Sequence, residues 1–570
     1  MVESIAVVGI SCQYPDARTP SELWENVLSQ RRAFRRMPAE RLRLEDYFSA
    51  DKNTPDAIYS TNAAVIEGFE FDRVMFKISG SAFRSADLTH WLALDTAAKA
   101  FEDGGFSADL PKETTGVFLG NTLTGEFSRA GLMRLRYPFV RRMVEAVLRA
   151  ENACVDKIPE VLTRLEDVYK EPFPPITEES LAGGLSNTIA GRICNYFDLK
   201  GGGFSIDGAC SSSLLAVSNA CSALVTGDLD VALAGGVDLS LDPFELVGFA
   251  KTGALAAEEM RVYDARSNGF FPGEGCGFVL LMREKDALRE GRKIYAVIKG
   301  WGISSDGSGG ITRPTAEGQM LAMKRAYRRA ELDPESIAYF EGHGTGTTVG
   351  DVTELKALKG IRQNADEKAV LSSIKPLIGH TKAAAGVAGL IKTLMALKNE
   401  ILPPMPNCEM PHTEIGGAFR ILKEGEIWNK KLSLRAAVSS MGFGGINTHI
   451  VLERQREFPR TKMSHKEKTI CATVQDAEIF FLNGQTRTDL LEKLKNLVHF
   501  AGKISFAELS DLAAHLSRNR DGGKYRAAIV ASKPAELEKS LQNLIEKVAT
   551  ETAQIIEDNI FFGVAESEPR

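Results

Sequence analysis

Two hydrophobic rhythms alternate along the chain. Short apolar runs at 5–10, 115–120, 204–207, 231–236, 277–282 and 295–300 predict buried strands, and such runs return at 337–341, 370–374, 435–440 and 449–452. Between them, apolar residues recur every three or four positions at 20–28, 89–101, 181–196, 318–330 and 386–399, after Cys210 to about 224, and from about 351. That spacing lines one face of a helix. Ser21 stands near the predicted cap of the first helix. Strands alternating with helices predict an α/β layered fold with mainly parallel central strands. The second half repeats the rhythm of the first, which predicts an internal duplication.

Two stretches break the pattern. Residues 31–85 predict irregular structure, and a charged insert at 125–176 predicts helices near 132–151 and 157–169 before Pro172-Phe-Pro-Pro175. After Arg454 the composition turns polar and basic as far as Lys468, as in a linker. Strands at 479–482 and 526–531, with helices at 488–500, 506–516 and 534–548, then predict a small α/β module. The chain thus divides into a domain at 1–455 and a linker with a small module at 456–570.

Composition narrows the function. With 570 residues, 44% hydrophobic and 25% charged, the chain suits a multidomain globular protein. A net charge of −6 gives no sign of a nucleic-acid or membrane-surface partner. The basic Arg134-Leu-Arg-Tyr-Pro-Phe-Val-Arg-Arg142 therefore predicts a solvated face or a substrate-side lid before a nucleic-acid groove. No apolar run is expected to cross a bilayer, and no signal-peptide pattern precedes the first strand. The eight cysteines, at 12, 154, 194, 210, 221, 276, 408 and 471, include no Cys-x-x-Cys pair. A disulfide framework is not expected, and the reducing cytoplasm is the simplest compartment.

Three stretches carry candidate chemistry. Phe204-Ser-Ile-Asp-Gly-Ala-Cys-Ser-Ser-Ser213 places Cys210 between a strand and a helix, with Ser211, Ser212 and Ser213 as cap or first-turn residues. A helix N-terminus lowers a thiol pKa, so Cys210 is a candidate nucleophile; a buried structural cysteine is the alternative. His343, in Glu341-Gly-His-Gly-Thr-Gly-Thr347, and His380, in Lys375-Pro-Leu-Ile-Gly-His380, each follow a predicted strand. Sites in open α/β sheets gather at such strand ends. The glycines near His343 lack the Gly-Lys-Ser/Thr of a phosphate loop, and the Cys–His–His spacing is unlike a zinc site. His465, His499 and His515 have no motif around them and are expected at the surface.

Together, Asp207-Gly-Ala-Cys-Ser-Ser-Ser213, the two histidine loops and Gly442-Phe-Gly-Gly-Ile-Asn-Thr-His449 resemble the signatures of β-ketoacyl synthases. Asp264-Ala-Arg-Ser-Asn-Gly-Phe-Phe-Pro-Gly-Glu-Gly275 is similar to a stretch of the polyketide members. The resemblance covers about 1–455. Residues 456–570 resemble the module between a ketosynthase and an acyltransferase, and the chain ends at Ser567-Glu-Pro-Arg570 before any Gly-x-Ser-x-Gly. An excised or truncated piece of a longer synthase is therefore expected, with an acyltransferase downstream. Thr188-Ile-Ala-Gly-Arg-Ile-Cys-Asn-Tyr-Phe197, Asp238-Leu-Ser-Leu-Asp-Pro-Phe244, Gly248-Phe-Ala-Lys-Thr-Gly-Ala-Leu255 and the basic insert resemble the iterative enediyne type. Ala86-Asp-Leu-Thr-His-Trp91 departs from the Met-Asp-Pro-Gln-like run usual in modular enzymes.

The resemblance implies a thiolase-like duplicated α-β-α-β-α fold and a homodimer with the strand before Cys210 at its interface. It implies Cys210 as nucleophile, with His343 and His380 donating hydrogen bonds to a malonyl thioester. Lys375 and Glu354 would fix the histidines, and the Phe443 N–H would join that of Cys210 around the oxyanion. Thr345 and Thr347 would meet the substrate arm, and the Gly442, Gly444 and Gly445 loop would gate it. The substrates implied are malonyl and acyl thioesters on the phosphopantetheine of an acyl carrier protein, with no metal and no bound cofactor. Another iterative synthase, reducing or of the polyunsaturated fatty acid type, is an alternative subtype. A chain-length-type partner would lack Cys210. A thiolase would use a second cysteine, for which Cys408 has the wrong setting. A scaffold that only binds carrier protein is the remaining rival.

Overall fold

The computed structural model of the protein describes residues 3–565 except 107–108, 124, 154, 309, 364–366, 456–459, 473–476, 520–521 and 551–553. Cys154, the start of the expected linker and the terminal Ser567-Glu-Pro-Arg570 lie outside the described residues. Eleven strands form one sheet: β1 (Ile5–Gln13), β2 (Thr115–Gly120), β3 (Gly203–Ile206), β4 (Val231–Asp238), β5 (Gly275–Arg283), β6 (Ala296–Ser305), β7 (Tyr339–Glu341), β8 (Ala369–Ser372), β9 (Phe419–Arg420), β10 (Leu434–Gly442) and β11 (Ile446–Arg454). Across the sheet they run β9-β8-β7-β10-β11-β6-β1-β5-β4-β2-β3. The order β1-β5-β4-β2-β3 of the first half is repeated as β6-β11-β10-β7-β8 in the second. The halves join where β1 and β6 pair antiparallel, with Ile5 opposite Ile298.

The sheet is mixed, where mainly parallel strands were expected. β2 runs parallel to β3 and β4, and β7 to β8 and β10. β5 is antiparallel to β1 and β4, and β11 to β6 and β10. The three residues 443–445 join β10 to β11, and so short a link can only reverse the chain. Gly444 and Gly445 make the reversal possible, with φ of 89° and 79°.

Burial sets the layers. The equivalent helices Ser212–Thr226 and Ala385–Asn399 follow β3 and β8 and are buried on nearly every face. Each contacts strands of both halves, so together they fill the middle of the fold. A Cβ on Gly386 would lie 2.7 Å from Leu214 Cγ, which shows how closely the two helices approach. Outer helices cover the far sides: Leu88–Asp103 and Asn187–Phe197 over the first half, Ala316–Ala330 and Thr348–Ile361 over the second. This is the duplicated α-β-α-β-α arrangement. The middle helix corrects one expectation: Ala209–Thr226 has the length and apolarity of a membrane span. It is 67% buried inside the protein, as a core helix is.

Local departures have local causes. Thr19, not Ser21, caps the helix Pro20–Leu28 by accepting the Glu22 N–H at 3.2 Å. The first insert helix runs Glu126–Ala150 straight through Pro138. The Tyr137 hydroxyl donates to the Leu162 carbonyl at 2.8 Å and braces it on the second helix, Ile158–Lys170. The helix expected at 181–196 is two, Ser180–Gly184 and Asn187–Phe197. The helix Pro243–Lys251 was not anticipated.

A second, antiparallel sheet has its own apolar core. Its strands β12 (Glu478–Gly484), β13 (Tyr525–Ala531), β14 (Ile555–Glu557) and β15 (Ile560–Val564) run in the order β12-β13-β15-β14. The last two strands escaped the sequence pattern because they are short. This unit is tied to the large sheet's unit by the Phe506 N–H donating to the Phe34 carbonyl at 2.8 Å and by the ion pair Arg31–Asp511 at 2.6 Å.

Candidate active site

Three strand ends build the site. After β3 the chain turns through Ala209, whose φ of 50° is left-handed, and a 3-10 turn Ala209–Ser211 leads into the helix Ser212–Thr226. Cys210 sits in that turn, half-buried, with its carbonyl accepting from the Ser440 hydroxyl of β10 at 2.8 Å. Ser211 is the N-cap residue and Ser212 and Ser213 open the first turn, as expected, but no hydroxyl makes the capping bond. The Ser212 hydroxyl oxygen accepts the Gly208 N–H at 2.9 Å, and that of Ser213 accepts the Val387 N–H at 3.0 Å. Ser211 Oγ lies 3.1 Å from Thr448 Oγ1. They lock the turn to the second central helix and to β11. Burial pushes the Cys210 thiol up to about 12, against the Lys375 ammonium, which pulls it down. The lowering expected from the helix end is therefore outweighed by desolvation.

His343 follows β7 and His380 follows β8. Only His380 stands at the duplicate of the Cys210 position, since β8 is the counterpart of β3 and β7 that of β2. The imidazoles meet edge to face with centroids 5.6 Å apart. Gly379, with φ of 70°, turns the chain into His380; a Cβ there would lie 2.8 Å from the Phe271 carbonyl oxygen. His380 Nδ1 accepts the Lys382 backbone N–H at 3.1 Å, so its proton resides on Nε2. Burial, then the Lys375 ammonium, holds both imidazoles well below the usual histidine range. Both are neutral rings able to donate one hydrogen bond.

Glu354 and Lys375 hold the His343 loop. The Glu354 carboxylate accepts N–H groups from His343 at 2.6 Å and Gly344 at 2.8 Å, and the Tyr263 hydroxyl at 2.7 Å. The Lys375 ammonium donates to the His343 carbonyl. Both therefore act on the backbone around the ring.

Cys210, His343 and His380 line one cavity of about 430 Å³. Glu354, Thr345, Thr347, Gly442, Phe443 and Gly445 also line it, while Lys375 and Gly444 are not among its lining residues. Among the described residues, none of the lining comes from the insert, which leaves the expected lid without support there. Cys408 stays outside the lining, directed at the Tyr263 carbonyl at 3.7 Å. His465, His499 and His515 are exposed. Sequence reasoning missed Phe249 and Phe270, which make the wall apolar, and Asp306, which accepts from Asn447 at 2.8 Å beside the glycine turn. Phe270 packs edge-on to His380 at 4.9 Å. Its place in the Asp264–Gly275 motif was the available signal.

A thiol, two neutral imidazoles and an apolar chamber under one glycine turn suit acyl transfer, and the comparisons agree. Residues 2–287 match the β-ketoacyl synthase N-terminal domain and residues 295–409 its C-terminal domain. The chain belongs to the β-ketoacyl synthase family, the acyltransferase-type enzymes of Claisen condensation. Within that family it is a ketosynthase region of the kind found in polyketide synthases. It is 32% identical over 561 residues to polyketide synthase PksL of Bacillus subtilis, covering 96% of this chain and 11% of the relative. It is 35% identical over 467 residues to a polyunsaturated fatty acid synthase subunit of Thraustochytrium sp., covering 79% of this chain and 16% of the relative. The chain thus spans a small part of these relatives' length. Among solved structures, the ketosynthase from module 6 of the bacillaene synthase of Bacillus subtilis matches with a TM-score of 0.68 and 30% identity, covering 99% of this chain and 87% of that one.

Proposed function

We propose that this chain condenses a malonyl unit with a Cys210-bound acyl chain. The observation that carries the reading is the convergence of Cys210, His343 and His380 on one cavity. The Cys210 sulfur attacks the thioester of an acyl chain on a carrier protein, forms the acyl-enzyme and releases the carrier thiol. N–H groups of Cys210 and Phe443 hold the oxyanion of that step. Malonyl thioester on the phosphopantetheine of an acyl carrier protein then enters past Thr345 and Thr347, under the Gly442, Gly444 and Gly445 loop. His343 and His380 donate to its thioester oxygen. The bond to the carboxylate breaks, carbon dioxide leaves, and the enolate carbon attacks the acyl-cysteine. The product is a β-ketoacyl thioester two carbons longer. Cys210→Ala tests this: the acyl-enzyme seen by intact-mass measurement is lost, and an adduct that persists on the variant refutes the nucleophile.

Finer features belong to the same proposal. Residues 1–455 form the ketosynthase domain, and 456–570 the linker and module that lead to an acyltransferase in the parent synthase. The chain acts as a homodimer in the cytoplasm. β3 is the last strand of the large sheet, and its Phe204 is 47% exposed beside it, as a strand that pairs with a second copy would be. The extension is iterative, and the insert and the motifs around Thr188 and Asp238 favour the enediyne type. The 35% identity to a polyunsaturated fatty acid synthase favours that type as the second reading.

A further inference from the structure

Lys382 stands two residues beyond His380 and holds two unusual positions at once. Its backbone adopts a φ of 48°, a left-handed conformation that a side chain disfavours. In that conformation its N–H donates to His380 Nδ1 at 3.1 Å. Its ammonium is buried, 1% exposed as a residue, and points away from the cavity into a socket of its own. There it pairs with Asp238 at 3.1 Å and Glu245 at 3.6 Å, and donates to the Ser240 carbonyl at 2.5 Å. The Asp238 carboxylate also accepts the N–H of Ala383 at 3.3 Å and of Ser240 at 3.0 Å. One carboxylate therefore grips both the Lys382 side chain and the residue after it. Arg129, on the insert helix Glu126–Ala150, closes the socket by pairing with Asp242 and donating to the Ser240 hydroxyl at 2.6 Å. A strained residue persists only where its surroundings hold it, and here the holder is this ionic clamp.

We propose that Lys382 is a positioning residue for His380: its clamped ammonium keeps the turn in the shape that makes His380 Nδ1 an acceptor and leaves the proton on Nε2. The proposal rests on His380 as donor to the malonyl thioester. It explains why an ammonium is buried where an apolar residue would fit the core at lower desolvation cost. It also gives the insert a connection to the site, through Arg129, without contact with the cavity.

The test separates anchoring from backbone shape. Lys382→Met removes the ammonium and keeps the apolar stem. Lys382→Gly removes it and relieves the left-handed strain. Lys382→Arg keeps the charge. In the Met variant, kcat for carbon dioxide release from malonyl-carrier protein should fall by about 30-fold or more, with KM and the rate of Cys210 acylation within about threefold of the parent, and the Gly variant, which takes up the left-handed φ without strain, should recover part of that loss. Lys382→Arg should recover a large part of the rate. Imidazole 15N shifts of His380 should report an Nε2–H ring in the parent and mixed tautomers in the Met variant. Parental carbon dioxide release by Lys382→Met, or an unchanged His380 tautomer in that variant, overturns the proposal. If the Met variant does not fold, Asp238→Asn removes the nearer ionic partner of Lys382, and a parental rate and tautomer there overturn it equally. A parent that acylates Cys210 yet releases no carbon dioxide refutes the underlying role of His380 instead.

Discussion

Removal of the Glu354 carboxylate is the sharpest test of how His343 is held. Glu354→Ala strands three buried donors at once: the N–H groups of His343 and Gly344 and the hydroxyl of Tyr263, now bonded at 2.6, 2.8 and 2.7 Å. A hydrogen bond to a charged acceptor contributes roughly 1.5–3 kcal/mol, so full loss of three approaches ~5–9 kcal/mol. Glu354 lines the cavity, so water can enter the vacated space and satisfy part of the set. A net loss of about 3–5 kcal/mol follows, inside the ~5–15 kcal/mol that a domain of this kind has to lose. Glu354→Gln keeps one carbonyl oxygen and turns an amide N–H toward a donor, for a smaller loss of about 1–3 kcal/mol. The catalytic effect is larger than the stability effect suggests. A reacting group displaced by ~1 Å costs about 100-fold in rate, and the Ala variant frees the backbone that carries the ring. Urea unfolding gives the first quantity, and carbon dioxide release from malonyl-carrier protein gives the second. Intact-mass acylation of Cys210 serves as the control for a folded pocket. If both variants unfold within about 1 kcal/mol of the parent and release carbon dioxide at the parental rate, the carboxylate does not position His343.

Other perturbations reach the remaining layers. Burial, against the Lys382 ammonium and with Asp238 and Asp242 nearby, raises the Glu245 carboxyl to about 7. The folded protein then binds a proton there that the unfolded chain has already released, so unfolding free energy falls as pH rises from about 4.5 to 7, by ~3 kcal/mol at most. Glu245→Gln should flatten that slope in denaturation across pH 5–8, and equal slopes would contradict it. A Cβ on Gly120 would lie 2.5 Å from the Ser213 backbone nitrogen, which cannot move without shifting the nucleophile's helix. Gly120→Ala should lower stability by ~2–4 kcal/mol in the same assay, and a neutral change would show that β2 and the helix are not in rigid contact. Phe204→Lys places a charge on the exposed edge strand, and analytical ultracentrifugation should find monomers where the parent forms dimers. Unaltered dimers would remove that edge from the interface.

The chain's local chemistry was legible because it is written in short spans. Apolar runs and three-four spacing mark nearly every strand and helix of the large sheet, since each period reflects which side of an element faces the core. The turn at Ala209–Ser211, the glycines around His343 and His380, and the Lys375 position all fall within motifs a few residues long, while Glu354 was reached only through the family resemblance. The parallel and antiparallel pairings were less legible, because strand direction depends on how distant segments meet. The fate of the three serines after the nucleophile also escaped the local pattern, because a helix cap and a long-range bond use the same hydroxyl.

What the amino-acid order determined by itself was the inventory: a thiol at a strand-to-helix turn, two glycine-flanked imidazoles, and two halves of similar rhythm. Tertiary structure alone decided that these groups share one chamber, that burial rather than the helix end governs the Cys210 thiol, and that Lys382 turns inward to Asp238 and Glu245. The physical reason is that desolvation and ion pairing depend on what packs around a group. Lys382 and Asp238 are far apart along the chain, and a buried ammonium looks like any surface lysine until its carboxylate arrives.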